Sequence, residues 1–535
     1  MVKRMRSTMT GLLLGVSFLV VTVSARAYSL NFLSKAEPGK SVATFDFARG
    51  PEPARDKLSL SEGAVLSGSG VDRVLTATSS GKTEWNVICQ TSVGLLQAEK
   101  RYRVSVDYSI PETLAEDNYA YLKIRSEAPG GRWRPLPVLE GKAGVAQHLA
   151  YEFLTGAESD CTIGVGLHGR GAIAVKRVEI EELPLLSGLD HLEPGEGTWS
   201  DVLGVCAHLD WRHFYTSDEQ IGRTLDLLQK MGAGWVRMGF SWDQIFPSRR
   251  GQADPETMRR LRLIVKEVNR RKMHIVVIVN ATPRWASSNP LALHAWRYPA
   301  RDLSDYEDYV RFLSREFKGQ VRDWEIGNET NWPMFWMGSF ADYLRELHAA
   351  SKILRSSDPK NRILCAGLTD AGLHGMKGSY RGALADLMAP ENASAYDILS
   401  LHYYPGMAEE ALYAVNGVTA LMREKGAVKP IWMTETGYSV ANGRTLEQQT
   451  RMHEKLIPLL AAHPAIERVF IYNERVKDFE SDPYERGFGL LEADFTPRPV
   501  YGRLKELFQQ PPPRKIPALD PKIVNWHLST WDLCN

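Results

Sequence analysis

Two glutamates stand at the ends of apolar segments, and each is flanked by tryptophan and glycine. Glu329 ends the segment 324–329 (WEIGNE), and Glu435 lies within the segment 432–437 (WMTETG). Two carboxyl groups that meet in one site can divide a reaction, because one can hold a proton to donate while the other stays ionised. Either glutamate alone would more often form a salt bridge, but the matched pair favours catalysis.

The elements that must position these glutamates are short apolar strands that alternate with amphipathic helices. Eight strands are expected, at 202–207, 235–240, 274–279, 321–326, 363–367, 397–402, 430–434 and 468–472. Helices are expected at 219–231, 256–271, 305–317, 340–356, 408–425 and 446–462. This alternation predicts a (β/α)8 TIM barrel. A doubly wound open sheet is the alternative, but the first strand lacks the glycine-rich turn that such a sheet would need.

Functional groups of such a barrel lie at the carboxyl ends of its strands. Glu329 follows strand four and Glu435 ends strand seven, so we expect them to face each other across the mouth of the barrel. Glycoside cleavage needs this arrangement: an acid protonates the departing oxygen, and a carboxylate acts on the other face of the sugar. We therefore predict a retaining glycoside hydrolase that forms a covalent glycosyl-enzyme, with Glu329 as general acid/base and Glu435 as nucleophile.

The same segments resemble a known group of enzymes. Segments 328–329 (NE) and 434–437 (TETG) resemble the strand-four and strand-seven signatures of the clan A retaining (β/α)8 glycosidases. Segments 204–208 (GVCAH), 235–242 (WVRMGFSW) and 281–286 (ATPRWA) are similar to glycoside hydrolase family 39 within that clan. The whole layout is similar to secreted bacterial hydrolases that trim biofilm exopolysaccharide.

The resemblance implies roles for two neighbours of the catalytic pair. Asn328 is expected to donate a hydrogen bond to the sugar 2-hydroxyl, and the alternative is an amide that only holds the turn. Arg237, on strand two, is expected to keep Glu435 ionised and to fix its rotamer. Glu325 should point to the opposite side of its strand from Ile326 and pair with a basic neighbour.

Further binding residues are expected on the loops after strands one, six and eight. His402 and Tyr404 should contact the nucleophile or the sugar, and His208 is similar to a sugar-binding histidine of the family. Either histidine could instead be a hydrogen-bonded structural group. The clan usually ends strand eight with a tryptophan beneath the cleaved sugar. Tyr472 and Asn473 stand there in this chain, so Tyr472 is expected to form a smaller platform.

Four tryptophans on rim loops are candidates for stacking on sugar rings. Trp332 and Trp336 follow Glu329, whereas Trp242 and Trp285 follow strands two and three. Core packing is the competing role for the second pair.

The region before the barrel differs in pattern. A basic start and a short apolar run predict a signal peptide over residues 1–27, and therefore export to the periplasm or the cell exterior. Alternating residues predict a β-sandwich over 40–185, of jelly-roll type and similar to carbohydrate-binding modules, then a linker over 186–198. The barrel is expected over 199–510, and an extended tail over 511–535.

Composition narrows the function further. The chain has 65 Lys and Arg and 64 Asp and Glu, so its net charge is +1. This charge does not favour binding to nucleic acid or to an anionic membrane. In an exported chain, Cys89 and Cys161 could form a disulfide. We expect no metal, because His208, Asp210 and His213 lack the remaining ligands of a catalytic metal site. We also expect no cofactor, and a monomer.

The expected partner is a carbohydrate polymer or oligosaccharide, and the expected action is endo-cleavage of an extracellular polysaccharide. Two alternatives are a catalytically inactive glycan-binding protein and an exo-acting enzyme that resembles β-xylosidases.

Overall fold

The computed structural model describes residues 39–48, 57–61, 64–69, 73–79, 85–112, 114, 118–126, 138–139, 142–155, 161–185, 189, 191–369, 380–441 and 443–518. The predicted signal peptide and the part of the predicted tail after residue 518 lie outside these ranges. None of the helices in the described ranges has the length and apolar content that a bilayer span needs.

Two antiparallel sheets form the N-terminal region. Their strands are β1 (Lys40–Asp46), β2 (Leu58–Leu60), β3 (Ala64–Ser67), β4 (Val74–Ser79), β5 (Trp85–Thr91), β6 (Arg101–Ser109), β7 (Tyr119–Ser126), β8 (Val138–Leu139), β9 (Ala146–Leu154), β10 (Cys161–His168) and β11 (Gly171–Leu183). One sheet has the order β3-β4-β11-β6-β9, with β1 also paired to β11, and the other has the order β2-β5-β10-β7-β8.

The two sheets bury a shared hydrophobic core between them, because buried residues alternate with more exposed ones along their strands. In β6 every second residue is buried, as a strand with one face towards a core requires. Val104 of one sheet and Ile163 of the other belong to the same hydrophobic cluster. Two antiparallel sheets with a common core agree with the predicted sandwich, whereas the jelly-roll class and the resemblance to binding modules stay predictions.

The suggested disulfide between Cys89 and Cys161 is absent. Cys89 is a buried free thiol, and it lies opposite Val165 in the pairing of β5 with β10. Cys161 is therefore four residues along the neighbouring strand, or roughly 13 Å away, which is too far for a disulfide.

The second region is a curled parallel sheet surrounded by helices. Its strands are β12 (Leu203–Cys206), β13 (Trp235–Ser241), β14 (His274–Asn280), β15 (Asp323–Ile326), β16 (Arg362–Leu364), β17 (Leu368–Thr369), β18 (Leu399–His402), β19 (Ile431–Thr436) and β20 (Ile466–Ile471). Each pairs in parallel with its neighbours, and β20 returns to pair with β12. β16 and β17 are two pieces of the predicted fifth strand, so the ring has the eight strand positions of a TIM barrel.

The helices are α1 (Trp199–Val202), α2 (Asp218–Met231), α3 (Trp242–Ile245), α4 (Pro255–Arg270), α5 (Leu303–Glu316), α6 (Phe340–Ser357), α7 (Tyr380–Met388), α8 (Pro390–Ala393), α9 (Ala408–Lys425), α10 (Leu446–Ala462), α11 (Pro483–Arg486) and α12 (Pro499–Leu507). A 3-10 helix spans Ala295–Arg297. The six predicted helices correspond to α2, α4, α5, α6, α9 and α10.

Helix α9 is buried around its whole circumference through most of its length, which is unusual for the outer layer of a barrel. The N-terminal sheets lie against its outer side. The guanidinium of Arg101 on β6 lies 5.5 Å from the ring centroid of Tyr413 on α9. Leu154, at the end of β9, belongs to the hydrophobic cluster of the barrel. The two regions therefore share a packed interface at this helix.

The amino-terminal end of the barrel is closed by stacked aromatic and charged groups. The guanidinium of Arg468 lies 4.3 Å from the ring centroids of both Trp235 and Trp432. The guanidinium of Arg362 lies 5.0 Å from the Trp432 centroid, and its Nε donates to Asp323 at 2.6 Å. This end of the barrel is filled by side chains that bind one another.

Candidate active site

Glu329 is held at the mouth of the barrel by an uncommon backbone conformation. Gly327 has φ 83°, and Glu329 itself has φ 44°, a left-handed conformation that side chains other than glycine rarely adopt. The N–H of Glu329 donates to the carbonyl of Gly367 at 2.9 Å. Such strain persists only where the surroundings impose it, and it is concentrated at functional sites.

The glycine at position 367 also fits the site. A Cβ at this position would lie 2.0 Å from Nε2 of His402, so only glycine allows the imidazole to approach. The break between β16 and β17 falls at the same place, which brings the strand-five backbone close to both Glu329 and His402.

The two candidate glutamates meet as expected. Glu329, Glu435 and His402 each place one side-chain oxygen or nitrogen within 4.8 Å of those of the other two. Both glutamates are buried, with 5% and 8% of their surface exposed. Carboxyl groups about 5–5.5 Å apart are typical of retaining glycosidases, whereas inverting enzymes hold theirs at about 6.5–9.5 Å. The separation therefore fits direct attack by one carboxylate.

Arg237, on β13, donates to several acceptors around the catalytic pair. Its Nη1 donates to Oε1 of Glu435 at 2.6 Å, and its Nε donates to Oε2 of Glu325 at 2.5 Å. Its Nη2 donates to Oδ1 of Asn328 at 2.8 Å. The expected contact between Arg237 and Glu435 is thus present, and Arg237 is the basic partner expected for Glu325.

The surroundings of Glu435 favour its ionised form. Burial alone would raise the pKa of this carboxyl. The cation of Arg237 and the hydroxyl of Tyr404, which donates to Oε2 at 2.6 Å, outweigh burial and hold the pKa of Glu435 below its usual range. Burial and the charge of Glu435 raise the pKa of Tyr404 well above its usual value, so Tyr404 remains a donor.

His402 contacts the other glutamate. Its Nε2 lies 3.2 Å from Nη2 of Arg237, and its Nδ1 lies 2.8 Å from Oε1 of Glu329. Because an arginine nitrogen can only donate, Nε2 must accept, and the ring proton is assigned to Nδ1. Burial lowers the pKa of His402 to about 3, so the ring is neutral. His402 therefore donates to Glu329 without adding a positive charge.

Asn328 is oriented by the same arginine. Since Oδ1 accepts from Arg237, the amide N–H groups point away from the guanidinium. They are available to donate to a ligand at the mouth of the barrel, which matches the expected contact with a sugar hydroxyl.

His208 is held by a residue that the sequence reasoning missed. Its ring Nδ1 lies 3.1 Å from Oε2 of Glu474, and its backbone N–H donates to Oε1 of the same carboxylate at 2.7 Å. Burial alone would raise the pKa of Glu474, but His208 outweighs burial and lowers it. Glu474 follows β20 at the carboxyl end of the barrel, so its position after a strand was a signal that could have identified it.

Tyr472 lies between His208 and Tyr404, with its ring partly exposed. Its hydroxyl donates to Oε2 of Glu485 at 3.0 Å and accepts from Nζ of Lys477 at 2.7 Å. Its ring centroid is 6.0 Å from that of Tyr404. The next residue, Asn473, is joined to it by a cis peptide bond and is buried. The structure thus places Tyr472 next to the catalytic groups, where a platform was expected.

The four candidate tryptophans divide into two pairs. Trp332 and Trp336 lie partly exposed on the loop after Glu329. Trp242 has 1% of its surface exposed and stacks on Tyr309 with ring centroids 5.2 Å apart, which favours core packing over sugar binding. Trp285 packs edge-to-face against Trp242, and its Nε1 donates to the carbonyl of Phe246. The role of Trp242 and Trp285 in sugar binding stays a prediction.

The catalytic groups also have the side-chain types that can bind a metal ion. Within the described ranges, Glu329, His402 and Glu435 are the one group of His, Cys, Asp and Glu close enough to share a cation. Arg237 already binds Glu435 there with a fixed positive charge. His208, Asp210 and His213 form no such group.

Comparison with known proteins gives the family. The sequence model of the cellulase family (glycosyl hydrolase family 5) matches residues 195–466, just over half of the chain. No curated protein gives a significant match.

Solved structures that resemble the chain are also glycosidases. A family 39 glycoside hydrolase from Bacteroides cellulosilyticus WH2 is 15% identical, with 80% of each chain covered and a TM-score of 0.46. A GH5_18 enzyme from Streptomyces cattleya in complex with GlcNAc is 16% identical, with 60% of this chain and 83% of that chain covered and a TM-score of 0.49. An exo-β-1,4-mannosidase from Opitutaceae bacterium strain TAV5 is 14% identical, with 61% and 62% covered and a TM-score of 0.44.

The predicted clan is confirmed, whereas the narrower resemblance to family 39 stays a prediction. The matched family is also one of glycosidases, as the paired carboxylates predicted. This chain belongs to the cellulase family, glycosyl hydrolase family 5, and is a clan A glycoside hydrolase.

Proposed function

We propose that this enzyme hydrolyses an O-glycosidic bond with retention of configuration, using Glu435 as nucleophile and Glu329 as general acid/base. In the first step an oxygen of Glu435 attacks the anomeric carbon, and the bond to the leaving oxygen breaks. Glu329 transfers its proton to that oxygen. The products are a glycosyl ester of Glu435, a free alcohol and an ionised Glu329.

In the second step water attacks the same anomeric carbon. Glu329 takes a proton from that water, and the ester bond to Glu435 breaks. The sugar leaves with a hydroxyl on its original face, and both glutamates return to their starting states.

One observation carries the proposal: two buried carboxyl groups lie close together, and one of them is paired with a cation. Glu435 accepts from the cation of Arg237 and from Tyr404, which favours its ionised form. Glu329 is contacted by His402, whose neutral ring leaves the carboxyl able to hold a proton. Because two neighbouring carboxyls disfavour each other's ionisation, the ionised form of Glu435 favours a protonated Glu329, and the pair is suited to opposite roles.

Arg237 and Asn328 support the transition state. Arg237 fixes the rotamer of Glu435, so the attacking oxygen is already in place when the sugar binds. The amide of Asn328 donates to the sugar 2-hydroxyl, a contact that strengthens as the oxocarbenium-like state forms.

The proposed substrate is an extracellular carbohydrate polymer. The predicted signal peptide supports export, and the two N-terminal sheets resemble an accessory domain of the kind that accompanies polymer-degrading enzymes. We propose that this domain serves in glycan binding or docking.

Two alanine variants test the roles. Glu435→Ala should reduce turnover of every substrate at least about 1000-fold, because no glycosyl ester can form. Glu329→Ala should lose activity on natural glycans and retain it on aryl glycosides, whose leaving groups need little protonation. Added azide should then restore turnover of Glu329→Ala and yield a glycosyl azide of retained configuration. Product anomers are followed by NMR.

Glu424→Ala is the matched control, since this glutamate is exposed at the end of α9, far from the mouth of the barrel. Full activity of Glu329→Ala on a natural polymer would contradict the assigned roles. A wild-type protein that binds glycans but turns over none would favour the alternative of an inactive binding protein.

A further inference from the structure

The loop between β14 and α5 carries the most exposed large apolar side chains in the described ranges. Leu291 exposes 94% of its surface and Leu293 exposes 84%, whereas the next in order, Val428, exposes 68%. Single exposed apolar residues are common on protein surfaces, but two long apolar side chains close together on one loop indicate a contact surface.

Hydrogen bonds within the loop keep these two leucines on the outside. Nη1 of Arg284 donates to the carbonyl of Pro290 at 2.5 Å and to that of Ala292 at 3.0 Å. Its Nη2 donates to the carbonyl of Leu293 at 3.3 Å. One guanidinium therefore fixes the backbone on both sides of Leu291. The exposure of the leucines is a property of the folded loop, because turning this backbone inward would break these bonds.

The neighbouring loop, between β15 and α6, continues the same surface. Met334 and Met337 on this loop each expose 46% of their surface. The N–H of Met337 donates to the carbonyl of Arg297 at 2.7 Å, and Nη2 of Arg297 lies 3.5 Å from Sδ of Met334. Arg297 thus joins the two loops at the carboxyl end of the barrel. We call their exposed apolar side chains the apolar rim, which comprises Leu291, Leu293, Met334 and Met337.

The charged groups of these loops are almost all basic. Residues 281–301 contain three arginines, one histidine and no acidic residue, and residues 330–339 contain no charged residue. The next acidic residue, Asp302, caps α5 by accepting from the N–H of Ser304 at 2.9 Å. The three arginines form no ion pair with any described residue and donate to backbone carbonyls or to a thioether instead; they are Arg284, Arg297 and Arg301.

A lipid bilayer with anionic headgroups matches both the apolar rim and its arginines. Leucine and methionine side chains can enter the boundary of the acyl chains, while arginines bind the phosphates at the surface. A second copy of this chain would bring the same unpaired cations against one another, which disfavours association. Leu291 and Leu293 project from the loop and form no concave site, so they do not enclose a small ligand.

We infer that the apolar rim docks on the surface of an anionic phospholipid bilayer. The net charge of +1 gave no sign of this, because the basic residues are local to these loops. The inference goes beyond the proposed function. Met334 and Met337 share their loop with Glu329, so docking holds the mouth of the barrel at the membrane surface.

Vesicle binding tests the inference without any turnover. The chain is produced from residue 28 onward, because the apolar run of the predicted signal peptide would itself bind lipid. Cosedimentation with vesicles of phosphatidylcholine, alone or mixed with an equal part of phosphatidylglycerol, gives the partition coefficients. We expect wild type to bind the mixed vesicles at least about tenfold more strongly than the neutral ones, and to bind them more weakly at high salt.

Variants of the two leucines test the surface itself. Leu291→Ser and Leu293→Ser should each lower the partition coefficient for the mixed vesicles about tenfold, because each removes one apolar side chain from the lipid contact. Val428→Ser is the matched control, since Val428 is also exposed but lies just before β19, at the amino-terminal end of the barrel. It should bind as wild type does. Thermal unfolding checks that every variant is folded.

Equal vesicle binding by wild type and by the double leucine variant would overturn the inference, as would a wild type that binds no vesicles. A wild-type dimer that the double variant converts to a monomer in sedimentation velocity would assign the apolar rim to a second copy. A large fall in kcat/KM on a soluble glycan, with unchanged vesicle binding, would assign it to the substrate. An enzyme that binds vesicles but cleaves no glycan would overturn the proposed function alone.

Discussion

The two ends of the barrel both bury charged groups, but they use them differently. At the amino-terminal end, Arg468 and Arg362 stack on Trp432, and Arg362 also binds Asp323. At the carboxyl-terminal end, a single arginine, Arg237, binds two glutamates and an amide. The first arrangement is closed by its own side chains. The second leaves carboxylates and donors facing the space where a ligand binds.

This difference separates stability from chemistry within one set of strands. The closed end has its cations covered by aromatic faces, so its charges serve packing. The open end places two like charges near each other, which is costly for folding and is stabilised by one guanidinium. Variants at the open end should therefore change catalysis, and variants at the closed end should change stability alone.

The largest effect is expected for Arg237→Met. Loss of the guanidinium leaves Glu325 and Glu435 buried without a counter-charge, which should cost about 3–5 kcal/mol of unfolding free energy. Turnover should fall at least about 100-fold, because Glu435 is no longer held ionised and in position. Urea unfolding and steady-state kinetics measure the two effects. Activity within tenfold of wild type at neutral pH would show that Arg237 is not part of the catalytic machinery.

A smaller loss of activity is expected for Tyr404→Phe, at the open end of the barrel. The pH dependence of kcat/KM tests the role of this residue. The pKa of Glu435 is lowered in the folded protein, so the ionised nucleophile is lost only as the pH falls through that lowered value. Removing the hydroxyl removes one donor, and the pKa should rise towards the usual glutamate value of about 4.3. The acid limb of the kcat/KM profile should move to higher pH, with a loss of about 10–100-fold in rate. An unmoved acid limb would contradict this role, and urea unfolding should remain nearly unchanged.

The smallest effect is expected at the closed end, for Arg362→Met. Asp323 would lose its ion-pair partner while remaining buried, at a cost of about 1–2 kcal/mol after allowance for the partly exposed arginine. The kcat of the folded enzyme should stay within about twofold of wild type, because no substrate contact is altered. This variant is the matched control for Arg237→Met. A large drop in kcat with intact folding would mean that the two ends are coupled.

The elements of the barrel were largely predictable because each is determined locally. Helices α9 and α10 begin and end at the expected residues, and eight strand positions follow from short apolar runs. The exception is strand five, predicted as one strand over 363–367. Its break depends on Gly367, whose carbonyl binds Glu329 and whose missing side chain makes room for His402. Such contacts join distant strands and leave no local pattern.

The residues of the candidate site were largely predictable, whereas the hydrogen bonds between them were less so. The rule that function lies after strand ends located Glu329 and Glu435, whereas Arg237, inside its strand, was found through the resemblance to clan A enzymes. The same rule could have found Glu474, which binds His208, but no motif drew attention to it. The neutral state of His402 depends on burial and its tautomer on which nitrogen faces Arg237, and both depend on the three-dimensional arrangement of strands.

Helix α9 has a consequence for how the chain can be shortened. A buried helix cannot easily be left facing water, so cutting the gene ahead of residue 199 would expose buried side chains within residues 408–422 of α9 and favour aggregation of the released barrel. The N-terminal sheets, with Arg101 over Tyr413, cover those side chains. Any minimal version of the enzyme must either keep them or recode the outer side of this one helix.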